Sequence, residues 1–388
     1  MTTQDLLIFG VIMLARIIAP LFIPRFPLPG VIASLVLDAV DQTVFQTFTT
    51  IGTPAWYQGY DKAFDIYYLT IAFLATYRNW ENIVAFNMSR FLYFFRLVGV
   101  VLFESTGFRA LLLLFPNTFE YFFIAIEGIR TKWNIKRMAP VLVVLIAFAI
   151  WVFIKVPQEY WIHIAKLDFT DAVRKAAGND PTLLFVLIVV LLLLAVVVKH
   201  ILNQSLPPAD WSFRIQVRPE DLDVTDEEVR AAAQRSAATF FDEDLITKLA
   251  MVVLVTTIFS HVLPGMDPTA LQLMVGIGTV VLISTAVSEW LARKGHSAKK
   301  TIMQFLVMFV VNGAAIVGLA WLLPGSFFDI DFGGLGNYLF IVGLISLIVS
   351  FYDRFQPYYA ARFVKYQAEM VRRKEIEAKV NAMMASGD

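Results

Sequence analysis

Cysteine is absent from all 388 residues. That excludes disulfides, thiolate catalysis and cysteine-ligated metals. Histidine occurs only four times, widely scattered, which argues against haem or a histidine-rich metal site. Charge is scarce: Asp, Glu, Lys and Arg make up 16% of the chain, against about 25% in soluble domains. The formal net charge is zero, so no overall field attracts nucleic acid and no nucleic-acid partner is expected. Also missing are G-x-x-x-x-G-K-[ST], H-E-x-x-H and G-x-S-x-G, which argues against ATP-driven pumps, zinc proteases and serine hydrolases. The opening "MTTQDLLIFG" has neither a basic n-region nor an A-x-A-like cleavage site, and it reads as the start of a first span.

What is present is apolar sequence. Hydrophobic residues make up 58% of the chain and recur in runs long enough to cross a bilayer. The pattern predicts an all-α, polytopic helical integral membrane protein of about eleven transmembrane helices. The expected spans are roughly 5–24, 30–48, 61–78, 83–104, 108–128, 138–157, 181–203, 245–264, 269–291, 301–323 and 335–353. "GIRTKWNIKRM", "WLARKGHSAKK" and "RFVKYQAEMVRRKEIEAK" are basic, whereas "HVLPGMDPTALQ" and "PGSFFDIDFGGLG" hold no Lys or Arg. Eleven spans put the basic loops on one side, giving a multi-pass cell-membrane protein with its N-terminus outside and its C-terminus cytoplasmic. The lipid bilayer is the expected surrounding, and a homo-oligomer or membrane-complex partners are left open.

Polar residues divide the chain. Residues 1–137 read as a polar N-terminal bundle, and 138–204 as two spans with an interfacial amphipathic helix between them at 157–180. Residues 205–243 read as a cytoplasmic polar loop, in which Thr225 and Glu228 stand at capping-box spacing. Residues 244–355 read as a plainer C-terminal bundle of Leu, Val and Ile, and 356–388 as a charged cytoplasmic helix extending the last span.

The unusual stretches are "VIASLVLDAVDQTVFQ" and "YDKAFDIYYLT". An ionised Asp at mid-membrane costs about 2.5–3.5 kcal/mol on insertion scales, so such residues imply a bundle interior, a cationic partner or water. Asp38 and Asp41, three apart, share a helix face, as do Asp61 and Asp65, four apart. A short turn joins the two helices, so both pairs are expected at their shared end. Four carboxylates there require positive charge: a hard divalent cation, or Arg and Lys from neighbours. Arg16, Arg90, Arg96 and Glu120 are the expected intramembrane polar partners, with Arg96 paired to Glu120 or Asp65. The alternative is that the Asp residues cap helices and form ion pairs near the interface. In "LFPNTFEYFF", Pro116 frees a backbone carbonyl ahead of Asn117 and Glu120, which reads as a kinked, packed helix.

Two acidic pairs, D-x-x-D and D-x-x-x-D, on consecutive spans resemble the CDP-alcohol phosphatidyltransferases over about residues 5–70. The opening "LLIFGVIMLARIIAPLFI" is similar as well, with an Arg a turn before a Pro. The resemblance implies two divalent metals held by Asp38, Asp41, Asp61 and Asp65, with Asp65 as general base. The chain departs from that family at Gln42, where the family has Gly, at Phe45 and Gln46 in place of Ala-Arg, and at Tyr57 in place of a second Gly. The family's site faces the cytoplasm, whereas the Lys and Arg distribution puts this cluster outside.

Three functions fit these residues. A transport or permeation protein with an intramembrane acidic site predicts a water-filled cavity reaching both faces. A membrane-embedded enzyme acting on lipid or lipid-linked substrates with Mg²⁺ or Mn²⁺ predicts carboxylate oxygens converging beside a cleft open to lipid. A non-catalytic assembly or sensory protein predicts a closed cluster with every Asp already paired. Whether the chain is an enzyme is open at this level.

Overall fold

The computed structural model describes residues 2–50, 57–161, 214–236, 242–293 and 301–386, with isolated helical positions between 189 and 204. Among them every regular element is helical, and eight helices are long and apolar enough to cross a membrane. The helices α2 (Pro27–Phe48) and α3 (Tyr57–Asn79) have the length to cross but carry the acidic pairs, and they are not among the eight. The expected span at 181–203, and nearly all of the expected amphipathic helix at 157–180, lie outside the described residues.

The chain divides into two compact units. Unit 1 comprises residues 1–73 and 84–216. Its first helix, α1 (Thr3–Ile18), starts at a capping box in which Thr2 and Asp5 satisfy each other's backbone N–H groups. Asp5 also accepts from the Thr50 N–H at 2.9 Å and the Thr50 hydroxyl at 2.7 Å, tying the start of α1 to the end of α2. The proline-rich turn between them needs Gly30, because a Cβ there would lie 2.9 Å from the Ile23 side chain.

Next come α3, then α4 (Ile83–Thr106), α5 (Ala110–Leu114), α6 (Thr118–Arg130) and α7 (Pro140–Glu159). The apolar run 108–128 breaks at Phe115–Asn117, where Pro116 has no N–H to continue the helix. Gly99 on α4 lets this break pack closely, since an added Cβ would sit 2.1 Å from the Phe115 Cβ. Fully buried aromatics fill the interior, with Phe73 stacked on Tyr93 at 4.4 Å and edge-on to Phe119 at 6.3 Å.

Unit 2 comprises residues 74–83 and 217–388. It holds the last turns of α3, then α8 (Asp226–Ser236), α9 (Glu243–Val262), α10 (Ala270–Leu291), α11 (Thr301–Leu322) and α12 (Leu335–Ser386). α12 is one continuous 52-residue helix with Pro357 inside it. At the start of α8 the Thr225 N–H donates to Glu228 at 2.9 Å and the Glu228 N–H donates to the Thr225 hydroxyl at 3.3 Å, completing the capping box. α8 packs on α12 through Val224, Ala232 and Ala361. The buried Arg362 donates to Asp223 at 2.6 Å and to the backbone carbonyls of Tyr77 and Arg78 at 3.0 and 2.7 Å, closing the C-terminal end of α3.

Candidate functional site

Each side chain of the acidic cluster is placed by its helix. Arg16 is in the last turn of α1, Asp38 and Asp41 lie on one face of α2, and Asp61 and Asp65 project from the first turns of α3. The Tyr67 hydroxyl donates to the Ile17 carbonyl at 2.9 Å and fixes α3 against α1. The Arg16 guanidinium meets all four carboxylates. It is paired with Asp38 and Asp41, lies 3.2 Å from Asp61 and 3.6 Å from Asp65. The rings of Tyr60 and Phe64 flank it, with centroids 5.2 and 5.5 Å from the guanidinium carbon. A planar fork with five donors can hold this many oxygens at once; a lysine ammonium could not.

The charges do not balance. Were all four carboxylates ionised, one guanidinium would leave three negative charges. Like charges 4 Å apart repel by about 4 kcal/mol at an effective dielectric of 20, so one arginine is too little. The division of labour among the four is informative. Asp41 is fully buried, whereas Asp38, Asp61 and Asp65 are partly accessible, and one oxygen from each of these three lies within 4.8 Å of the others. Asp65 Oδ1 is buried and receives no hydrogen bond. An octahedral Mg²⁺ or Mn²⁺ with ligands at about 2.1 Å sets its oxygens ~3.0–4.2 Å apart. The all-oxygen donor set and the unsatisfied Asp65 oxygen suit such an ion, and a contraction of a few tenths of an ångström from the 4.8 Å limit reaches octahedral spacing. Asp38, Asp61 and Asp65 would hold it, with Asp41 committed to Arg16.

Glu120 and Arg96 belong to a different buried group, built where the chain breaks at Pro116. The Asn117 amide donates to Glu120 at 2.5 Å, and the Asn117 backbone N–H lies 3.5 Å from Glu159. Lys155 donates to Gln158 at 2.9 Å, sits 3.8 Å from Glu159 and lies 4.4 Å from the Tyr121 ring centroid. Tyr68, also buried, faces Glu120 and is one helical turn beyond Asp65 on α3. Arg90 is half-buried on α4.

The expectation for Arg96 is corrected in part. Its side chain is buried, but among the described residues it forms no ion pair; its Nη1 donates to the Phe115 carbonyl at 3.1 Å. The break at Pro116 exposes that carbonyl, which makes the direct contact with the guanidinium, while Glu120 feels Arg96 only through the field. Lys155, Glu159 and Tyr68 are members that the sequence reading passed over. The first two had a signal, an i, i+4 charged pair ending a purely apolar run, which puts both heads on one face.

On their exposed side, α1 and α2 form a shallow, open apolar surface groove of about 550 Å³ lined by Val11, Leu14, Ile18, Phe22, Ala33 and others. Ala15 and Leu37 in its wall are the sequence neighbours of Arg16 and Asp38. Compared with protein-family models, with curated proteins and with solved structures, the chain matches none.

Proposed function

We propose that this integral membrane protein holds a hard divalent cation, Mg²⁺ or Mn²⁺, at Asp38, Asp61 and Asp65, and acts there on a lipid or lipid-linked substrate. The observation that carries this reading is the convergence of three carboxylate oxygens within 4.8 Å around a buried arginine. Protons or a cation must offset the mutual repulsion of these carboxylates, and a bound divalent ion would do so while leaving them ionised. A bound divalent ion would orient and neutralise a phosphate-bearing headgroup. The apolar groove supports the lipid part of the reading, because an acyl chain lying along α1 and α2 brings its headgroup toward the arginine end of α1. The protein resides in the cell membrane with its C-terminus cytoplasmic, an orientation supported by the basic loops. A cysteine introduced at Ala378 of this cysteine-free chain is then labelled only after the cells are permeabilised; labelling from outside overturns the orientation.

A second reading, cation permeation, is supported by Tyr68, which stands between the acidic cluster and the buried Glu120 group. One set of experiments separates the two. Mn²⁺ binding to the detergent-purified protein, followed by electron paramagnetic resonance, is expected to weaken about 10–100-fold in Asp38→Asn and Asp65→Asn. Unchanged affinity in both variants sinks the metal site. If the site acts on lipid-linked phosphate, Mn²⁺ affinity rises on adding such a lipid. If it serves permeation, proteoliposomes take up Mn²⁺, and Tyr68→Phe slows the uptake.

A further inference from the structure

Lys62 follows Asp61 on α3 and stands three residues from Asp65, the spacing of an ion pair on one helix face. It does not make that pair. Among the described residues its salt bridge is to Glu104, in the last turn of α4, and its ammonium lies 4.0 Å from the Phe103 ring centroid. The Glu104 contact is long, 3.7 Å, beyond hydrogen-bond range, and Glu104 Oε1 receives no hydrogen bond. The ammonium N–H groups are therefore open to an acceptor.

Two arginines stand near enough for Lys62 to feel their charge. Arg109, between α4 and α5, is exposed, and its side chain has no partner among the described residues. Arg96 is 9% exposed, donates from Nη1 to the Phe115 carbonyl and leaves Nε without an acceptor. Three cations thus face one carboxylate, Glu104, within unit 1, toward the end where α3 begins and α4 stops. The acidic cluster beside them has the opposite excess, four carboxylates on Arg16. The protein keeps the two excesses side by side on α3 without joining them. A ligand that brings negative charge satisfies the basic one. A phosphate monoester carries about −1.5 to −2 charge on several strong acceptor oxygens, which an ammonium and planar guanidinium groups can share.

We propose, resting on the divalent-ion reading of the acidic cluster, that Lys62, Arg96 and Arg109 form an anion subsite for a phosphate group of the substrate. Glu104 and Phe103 hold the Lys62 ammonium away from Asp61 and Asp65 and keep it available to the phosphate. The metal-binding carboxylates and the phosphate-binding cations are then presented from one helix, on adjoining faces.

Calorimetric titration of the full-length protein in detergent tests it with dioctanoyl phosphatidic acid and with inorganic phosphate, each in EDTA and in Mn²⁺. In EDTA the wild type is expected to bind phosphatidic acid, and Lys62→Gln to weaken that binding about tenfold or more. Lys62→Arg, which keeps the charge, should retain most of the affinity. Arg109→Gln removes an exposed side chain and is expected to weaken binding about fewfold; it keeps the test decisive if Lys62→Gln fails to fold. Inorganic phosphate bound with the same dependence on Lys62 and Arg109 assigns the subsite to a free phosphate, and binding of the lipid alone assigns it to a headgroup. A wild type that binds phosphatidic acid in EDTA but takes up no Mn²⁺ sinks the divalent-ion reading and leaves the subsite standing. Mn²⁺ bound with neither phosphate probe does the reverse. The subsite is also overturned if folded Lys62→Gln and Arg109→Gln bind phosphatidic acid as tightly as the wild type, the result expected if Lys62 only pairs with Glu104 and Arg109 meets headgroups without selection.

Discussion

Arg16 in unit 1 and Lys248 in unit 2 are buried to the same degree, 4% and 5% exposed, and each faces an excess of carboxylates. They handle it differently. Arg16 spreads a planar fork over Asp38, Asp41, Asp61 and Asp65 and so clamps three helices at once. Lys248 presents a point charge that engages one carboxylate and one hydroxyl, and the other acids around it are satisfied by a helix cap and by Gln356. Guanidinium geometry permits the first arrangement, and ammonium geometry limits the second. The arginine therefore carries the architecture of its unit, while the lysine occupies one wall of a cavity.

The largest effect expected from this contrast is that of Arg16→Met. Removing one partner of a buried ion pair costs about 3–5 kcal/mol, and here four carboxylates lose their cation together. Thermal unfolding in detergent should show a collapse of the folded state, partly restored in the double variant with Asp41→Asn. A stable Arg16→Met protein would break the comparison. Lys248→Met is expected to cost less, toward the lower end of that range at about 3 kcal/mol, because it strands one carboxylate, Asp353, instead of four. Equal losses for the two variants would mean that the lysine clamps its unit as the arginine does.

A second arginine sharpens the point within unit 1. Arg96 is buried like Arg16, yet its described partner is a backbone carbonyl. Arg96→Met should cost only about 1 kcal/mol, the scale of a single lost hydrogen bond, with Mn²⁺ affinity at the Asp38 site unchanged. A loss as large as that of Arg16→Met would show that Arg96 neutralises a carboxylate after all.

These contrasts mark where the sequence was readable. The spacing of Asp38, Asp41, Asp61 and Asp65 on two helices joined by a short turn fixes which faces they share, and local geometry alone brings them to one end. That a cation sits among them follows from electrostatics, and Arg16 was one of three basic residues named for the role. The Arg96 partner was not readable, because it depends on how far Pro116 opens the backbone, a tertiary matter. Unit 2 looked plain because its polar members are diluted among Leu, Val and Ile. Lys248 and Asp353 are over a hundred residues apart, and no periodicity links them. Only packing shows that they meet.

The smallest effect is expected at the surface of unit 2, and it tests whether burial, as well as pairing, separates the ion pairs of this molecule. Lys365 lies 2.8 Å from Glu228, both more than a third exposed. The Lys365 ammonium, together with the Thr225 N–H, holds the Glu228 carboxyl below its ordinary range. A depressed folded-state pKa contributes stability that is complete above the unfolded value of about 4.3 and is lost as pH falls through the folded one. Exposed pairs contribute at most about 1 kcal/mol, so the effect should be confined to α8. Hydrogen exchange over residues 226–236 reads it directly. Wild type should be slightly better protected than Glu228→Gln near pH 6, and the difference should start to shrink as pH falls through the unfolded value and vanish only below the lowered folded-state one. The Asp223–Arg362 contact nearby has its guanidinium buried on the carbonyls of Tyr77 and Arg78, and it should hold residues 217–224 in place over the same range. A protection difference that persists or grows on acidification would assign the stability of α8 to its apolar contacts with α12 and leave the exposed pair without a role.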